Sequence, residues 1–461
     1  MVYVLKKFNY VMIAISLIVL ISVYSIDLGL DPMAQAVLAI MLFAGIMWIF
    51  EALPLHVTGL FTAFLLAIVG SVQPDPITGE MIFVNFFTAK QIFNPFFDPI
   101  IALLLGGFLI AVAMQKHGLD KYMALRLVNK VGNNPKYVLF GLMCITAFLS
   151  FWITNTASTL IMIPIGLSIL KLNGLEKLKS SYGKAMVLGI AFAATIGGVG
   201  TLIGSTPNLI VTKFLADQGT VISFLDWMYF GIPLVIIMLP IIWFVLTRVF
   251  KSEIPEIKVP KYKLKMDRNE KTVFVIFAIT VILWLTSSIH GIATAVVALI
   301  PVLLLYLTNM LESGDFAKVN WSALVLFGSG LSLGSAIHAS GLDVIIANQF
   351  TFIFANQPLF LILWGVALLA VVLTIIASNT AAASIFIPVV IPFAAAFGID
   401  ITSLAILAAM AVSIDFVIPI GTPPSTIAYS TGFVRAKDMA KVGLFLTLTA
   451  SLVLTGLFFL W

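Results

Sequence analysis

Charge is what this sequence has least of. Only 10% of its 461 residues are Asp, Glu, Lys or Arg, against 61% hydrophobic residues, and the mean hydropathy is +1.14. A soluble domain needs roughly a quarter of its residues charged to cover its surface, so a water-soluble globular class is excluded. Cysteine is nearly absent: the single Cys144 rules out a disulfide framework and a cysteine-rich metal or iron–sulfur site. No GxxxxGK[ST] phosphate loop occurs, which argues against ATP-driven work by this chain alone, and nothing calls for an organic cofactor. The net charge of +5 does not require nucleic acid as a partner, because positive charge collects in the cytoplasmic loops of membrane proteins.

What the sequence has instead is long apolar runs. About 20 residues cross the hydrocarbon as helix, and these runs lack the apolar–polar alternation of barrel strands, so the spans are helical and lipid surrounds them. Lys6-Lys7 before the apolar 8–26 resembles a signal peptide, but no small-x-small cleavage site follows and further spans do, so it reads as a retained first helix. Spans are expected near 9–26, 34–52, 55–73 and 97–115, then a surface helix over 119–132. The stretch 137–170 is interrupted at Thr154-Asn155-Thr156 and has basic residues at both ends, which predicts a re-entrant hairpin. Further spans near 185–214 and 226–249 lead to a basic loop, 251–271, followed by spans near 272–289, 291–309 and 322–340. A second hairpin, 357–398, broken at Ser378-Asn379-Thr380, enters from the other side, and spans near 402–432 and 442–460 complete about 11. With a cytoplasmic N-terminus and an outside C-terminus in the inner membrane, only Lys90 and Lys213 lie outside, and the other 23 of 25 Lys and Arg lie inside. The organisation expected is N-terminal helices in 1–96, mainly scaffold, a first repeat core in 97–250, the loop, and a second repeat in 272–461.

The two halves repeat. Leu105-Gly106-Gly107 leads to Gly118-Leu119-Asp120, and Phe327-Gly328-Ser329-Gly330 leads to Gly341-Leu342-Asp343. Downstream of each Asn-Thr break lies a Gly/Pro interruption, Gly204-Ser205-Thr206-Pro207-Asn208 and then Gly421-Thr422-Pro423-Pro424-Ser425. One hairpin per face makes the repeats inverted, which points to alternating access with the site at the repeat interface near the midplane.

A helix broken inside a bilayer frees backbone groups that have no water to bond, so it is tolerated where it lines a polar cavity or binds ions. The residues at the breaks suit a dianion with small hard cations. Asn155, Thr156, Asn379 and Thr380 offer amide and hydroxyl donors, and helix N-termini add N–H groups and a positive dipole end. Freed carbonyls, with the hydroxyls of Ser150, Thr154 and Thr374, suit hard cations such as Na⁺. No Lys or Arg is expected at the tips, so a dianion there needs cations to neutralise it, a physical reason for coupling.

In these paired tips and Gly/Pro breaks, and in the order of elements over nearly the whole chain, the sequence resembles the divalent-anion:sodium symporters, which carry dicarboxylates such as succinate, or citrate or sulfate. The resemblance implies one sodium site near Ser150, Thr154, Asn155 and Gly204 and a second near Thr374, Ala377, Asn379 and Gly421. It implies substrate contacts from Asn155, Thr156, Ser205, Asn379, Thr380, Thr422 and Pro423, and a homodimer whose transport domain moves like an elevator against a scaffold. The chain departs from the family pattern: Thr154 stands where Ser is usual, and the breaks read Ser-Thr-Pro-Asn and Thr-Pro-Pro-Ser where Pro-Pro-Asn is common. The family also contains exchangers that do not use sodium, so Na⁺ coupling and sodium-independent exchange both stay open.

Asp415, six residues before Gly421, is an ionisable group at membrane depth and so a functional candidate. Three roles fit it: carrying a proton, supplying charge near the second cation site, or pairing with a buried polar group. Glu51 and His56 sit at a helix end without metalloprotease spacing and read as interfacial anchors. Ser329 with His338 suggests an intramembrane hydrolase, but the matching stretch Gly106-Gly107 with His117 has no serine, which favours close helix packing.

Overall fold

Inside a bilayer the backbone must satisfy itself, and helices do so within one segment. The computed structural model describes residues 2–74, 80–262, 264–419 and 421–460; Lys263, counted above in the basic loop, lies outside them. Among the described residues nine helices are long and apolar enough to cross a membrane. Five further apolar helices are shorter, and three of them, Pro135–Ser150, Ser181–Gly197 and Ile401–Val412, stop at a break. Twelve residues of helix, the length of Ile401–Val412, reach about 18 Å of a core about 30 Å thick. These helices therefore end at depth.

The halves share one order of elements. Pro99–His117 turns at Gly118 into Leu119–Val128, and Trp321–Ala339 turns at Gly341 into Leu342–Phe354. Both glycines are left-handed, φ 73° and 70°, a conformation that glycine adopts at no side-chain cost. Each half continues with a hairpin, Pro135–Ser150 with Asn155–Leu172 and Leu359–Ile376 with Asn379–Phe397. Then comes a helix, a break and a second helix: Ser181–Gly197 to Thr206–Asp217, and Ile401–Val412 to Pro423–Ser430. A long helix closes each half, Phe224–Val249 and Ala436–Leu460. The fold is all-helical, built on two inverted repeats with two hairpins.

The boundaries differ from expectation in three places. The span expected at 55–73 stops at Ile68, and Gly70–Pro74 pairs antiparallel with Met81–Asn85 as a small ribbon; Gly70 and Pro74 do not continue a helix. The span at 291–309 is divided into Thr294–Val297 and Leu299–Leu307, at Ala298, whose carbonyl lies against Gly106. Helix Leu342–Phe354 was not expected, although Gly341-Leu342-Asp343 repeats the start of the surface helix.

Two fastenings hold the first repeat. Its hairpin tip rests on an aromatic stack, Trp152 on Phe224 (6.2 Å between centroids) and Phe224 on Trp284 (5.1 Å). The loop after Phe224–Val249 is laced to the repeat's ends: Asn129 exchanges hydrogen bonds with the Tyr262 backbone at 2.7 and 2.9 Å, and Asn173 does so with Lys258 at 2.9 and 2.8 Å. Between the halves, Lys116 bridges to Asp315 at 2.7 Å and Glu312 at 3.1 Å. Hydrogen bonds from Lys116 and Lys318 hold the Asp315 carboxyl well below the usual carboxylate range.

Candidate functional site

Four helices begin at one cavity of about 380 Å³, at the small end of the roughly 300–1,000 Å³ of small-molecule sites. Their caps are Thr154, Ser205, Ser378 and Thr422, and each cap lines the cavity with the first two residues of its helix. The sequence starts helices there for local reasons. Thr154, Ser378 and Thr422 accept hydrogen bonds from the backbone N–H of Ala157, Ala381 and Ser425, and proline in the first turn of the helices that follow Ser205 and Thr422 gives up no hydrogen bond. A helix N-terminus carries about half a positive charge and free N–H groups, so four of them make an anion-binding wall. Among the described lining residues there is no Asp, Glu, Lys or Arg.

Beside this wall each hairpin tip is tied to its own arm by a hydroxyl–amide pair of identical spacing. Ser150 Oγ lies 2.6 Å from the Asn155 amide, and Thr374 Oγ1 donates to Asn379 Oδ1 at 2.7 Å; both hydroxyls are fully buried. In the orientation that satisfies hydrogen bonding, the Asn155 nitrogen also reaches Ala194 O at 3.0 Å and Gly204 O at 3.3 Å. Turning the amide over presents Oδ1 to the same place, so that amide, hydroxyl and two carbonyl oxygens converge, a set a hard cation takes.

The freed backbone of the first break is satisfied by side chains. Asn208 Nδ2 donates to Gly198 O (2.9 Å) and Thr201 O (2.7 Å), and Trp227 Nε1 donates to Val199 O (2.8 Å). Asn208→Ala removes the donor to Gly198 O and leaves Thr201 O with Gly204 N alone (3.3 Å), a loss of about 1–3 kcal/mol, expected as a lower melting temperature of the purified protein in detergent. In the second break Thr426 Oγ1 donates to Pro419 O (2.8 Å), and Val417 N donates to Asp415 Oδ1 (2.9 Å).

All seven residues expected at the substrate, Asn155, Thr156, Ser205, Asn379, Thr380, Thr422 and Pro423, line the one cavity. Of those expected at the cations, Thr154, Gly204 and Gly421 also line it, whereas Ser150 and Thr374 lie behind the tips. Thr154 Oγ1 is engaged as a cap, and Ala377 ends the arm Leu359–Ile376 with its N–H on Leu373 O. Ser205 and Ser413 hydroxyls meet at 3.2 Å and join the two breaks. Sequence reasoning missed the opposite wall: His56, Asn320 and Ser322 line the cavity, at the starts of helices Leu55–Ile68 and Trp321–Ala339. His56, read as an interfacial anchor, faces this cavity instead. The signal available was Asn320, which caps its helix through Ala323 N. The hydrolase reading falls on geometry: Ser329 is fully buried against Gly59 and donates to Leu326 O at 2.9 Å, and His338 faces Asp343 at 2.7 Å.

Comparison with known proteins agrees with this architecture. A family model described as the sodium:sulfate symporter transmembrane region matches residues 5–461. A sodium-dependent dicarboxylate transporter of Staphylococcus saprophyticus is 33% identical over 455 residues, covering 91% of this chain and 84% of the relative. An uncharacterized transporter of Methanocaldococcus jannaschii is 33% identical over 425 residues, covering 91% and 92%. The crystal structure of the YdaH transporter of Alcanivorax borkumensis has a similar fold, with TM-score 0.57 at 14% identity, covering 91% of this chain and 98% of that one. This chain is a multi-pass membrane transporter, not an enzyme, and it belongs to the sodium:sulfate, or divalent-anion:sodium, symporter family.

Proposed function

We propose that this protein imports a small dianion, a C4-dicarboxylate such as succinate, together with Na⁺. The observation that carries the reading is the convergence of four helix N-termini on one cavity with no fixed cation among its described lining residues. The N–H groups and the Asn155, Thr156, Asn379 and Thr380 side chains hold the two carboxylates. Partial charges at helix ends fall off within the first turn and stabilise a dehydrated dianion less than full charges do, and Na⁺ held by the tip oxygens adds to them. Substrate and cation thereby stabilise each other, and that mutual dependence is coupling. Relatives named as sodium-dependent dicarboxylate transporters support the same substrate class.

Transport follows by alternating access, with the hairpins and broken helices of 97–250 and 272–461 carrying the site as an elevator against a scaffold that includes the N-terminal helices of 1–96. The family resemblance supports this motion and a homodimer. The Lys and Arg asymmetry supports an inner-membrane protein with its N-terminus in the cytoplasm and its C-terminus outside.

The test is uptake of labelled succinate into proteoliposomes with and without an inward Na⁺ gradient. Uptake that needs the gradient is the expected result. Uptake that ignores Na⁺ but needs internal dicarboxylate overturns coupling in favour of exchange. No succinate movement in either setting overturns the substrate, and citrate and sulfate are then the dianions to assay.

A further inference from the structure

The two breaks cover their glycines with different oxygens. A Cβ built on Gly204 meets the carbonyl oxygen of Gly198 at 2.5 Å, whereas one built on Gly421 runs into Oδ2 of Asp415. The same face of the break glycine is thus closed by a neutral carbonyl in the first repeat and by a carboxylate in the second. Their surroundings differ in a matching way. Gly198 O is satisfied by Asn208, four residues after Gly204. Four residues after Gly421 stands Ser425, whose hydroxyl oxygen accepts from Thr422 Oγ1 at 3.0 Å and which has no amide to donate as Asn208 does. Asp415 is 0% exposed, and its Oδ2 has no hydrogen-bond partner among the described residues. No Lys, Arg or His among them pairs with it either. A buried carboxylate oxygen with neither donor nor counter-charge is costly, and a cation beside it removes that cost.

We propose that Asp415 is a carboxylate ligand of the cation at the second break, so that the two cation sites of this transporter are chemically unequal. The first is built from neutral oxygens around Asn155 and fills together with the dianion, whose charge balances it. The second carries its own negative charge and takes its cation before any dianion arrives. This deepens the proposed function and rests on it. The carboxylate has a coordination role, and Asn at this position keeps its size while removing its charge.

The test is a Na⁺ titration of the purified protein without any dianion, read as melting temperature at constant ionic strength with choline replacing Na⁺. The wild type is expected to show a saturable Na⁺-specific rise. In Asp415→Asn the midpoint moves to Na⁺ at least about tenfold higher, while its melting temperature in choline alone reports that it is folded. A wild type with no saturable rise overturns the proposal without reference to any variant, as does an unchanged midpoint in a folded Asp415→Asn. Uptake measured in parallel separates the two readings. Uptake with no Na⁺ dependence ends the coupling reading and this one with it. Na⁺-dependent uptake with no dianion-free Na⁺ binding ends this one alone.

Discussion

Alanine at Gly204 is expected to cut the initial rate of dianion uptake by at least about 100-fold, the scale of loss that a misplacement of about 1 Å brings to a tuned site. The added methyl would lie 2.5 Å from Gly198 O and 3.0 Å from both Gly198 C and Cα, all backbone atoms. Gly198 has nowhere to retreat. Its carbonyl is held by Asn208, and its own α-carbon abuts the Asn155 amide, which a Cβ there would run into. Relief of the clash therefore moves either the break or the tip, and Gly204 O is one of the oxygens facing Asn155. The control is Gly456→Ala, in the closing helix, where an added Cβ has nothing within 4 Å. Rates compared at equal reconstituted protein check the prediction; near-normal uptake by Gly204→Ala would show that the break tolerates displacement and is not part of the site.

The second large effect is expected at the tip asparagines. Asn155→Ala and Asn379→Ala each remove a donor to a carboxylate and an oxygen available to a cation, and each takes the amide away from a buried hydroxyl, Ser150 or Thr374. A hydrogen bond to a charged group contributes about 1.5–3 kcal/mol, which corresponds to about 10- to 150-fold in affinity. Because dianion and cation are linked through the same amide, the half-saturating concentrations of succinate and of Na⁺ are both expected to rise in each variant. A merely structural role predicts a different pattern: lower melting temperature and fewer active molecules, with both half-saturation values unchanged. Measuring succinate uptake across Na⁺ concentrations and Na⁺ activation across succinate concentrations separates the two.

Much of this site was legible because each half repeats the same local chemistry. Asn155 and Asn379 lie in apolar runs where an amide has no packing reason to be, and the Gly/Pro interruptions follow at matching distances. The caps Thr154 and Ser378 are readable as helix starts from residue type alone. What stayed hidden depends on contacts between distant segments. His56 and Asn320 reach the cavity because Trp321–Ala339 packs against the hairpin arm Asn379–Phe397 and Leu55–Ile68 packs against Trp321–Ala339, and no periodicity within either helix marks that neighbour. Ala194 contributes only its carbonyl, and side-chain identity says nothing about a backbone oxygen. The carboxylate of Asp415 was visible as an oddity, but its seat on Gly421 required the fold.

The most direct measurement is equilibrium binding of labelled succinate to the purified protein, in Na⁺ and in choline at equal ionic strength, for the wild type, Asn155→Ala and Asn379→Ala. One cavity shared by both repeats and dependent on cations predicts saturable binding of one dianion per chain in Na⁺, its loss in choline, and weakening by either substitution alone. Equal binding in Na⁺ and choline, or indifference to both asparagines, would contradict a cation-dependent dianion site built from the paired tips.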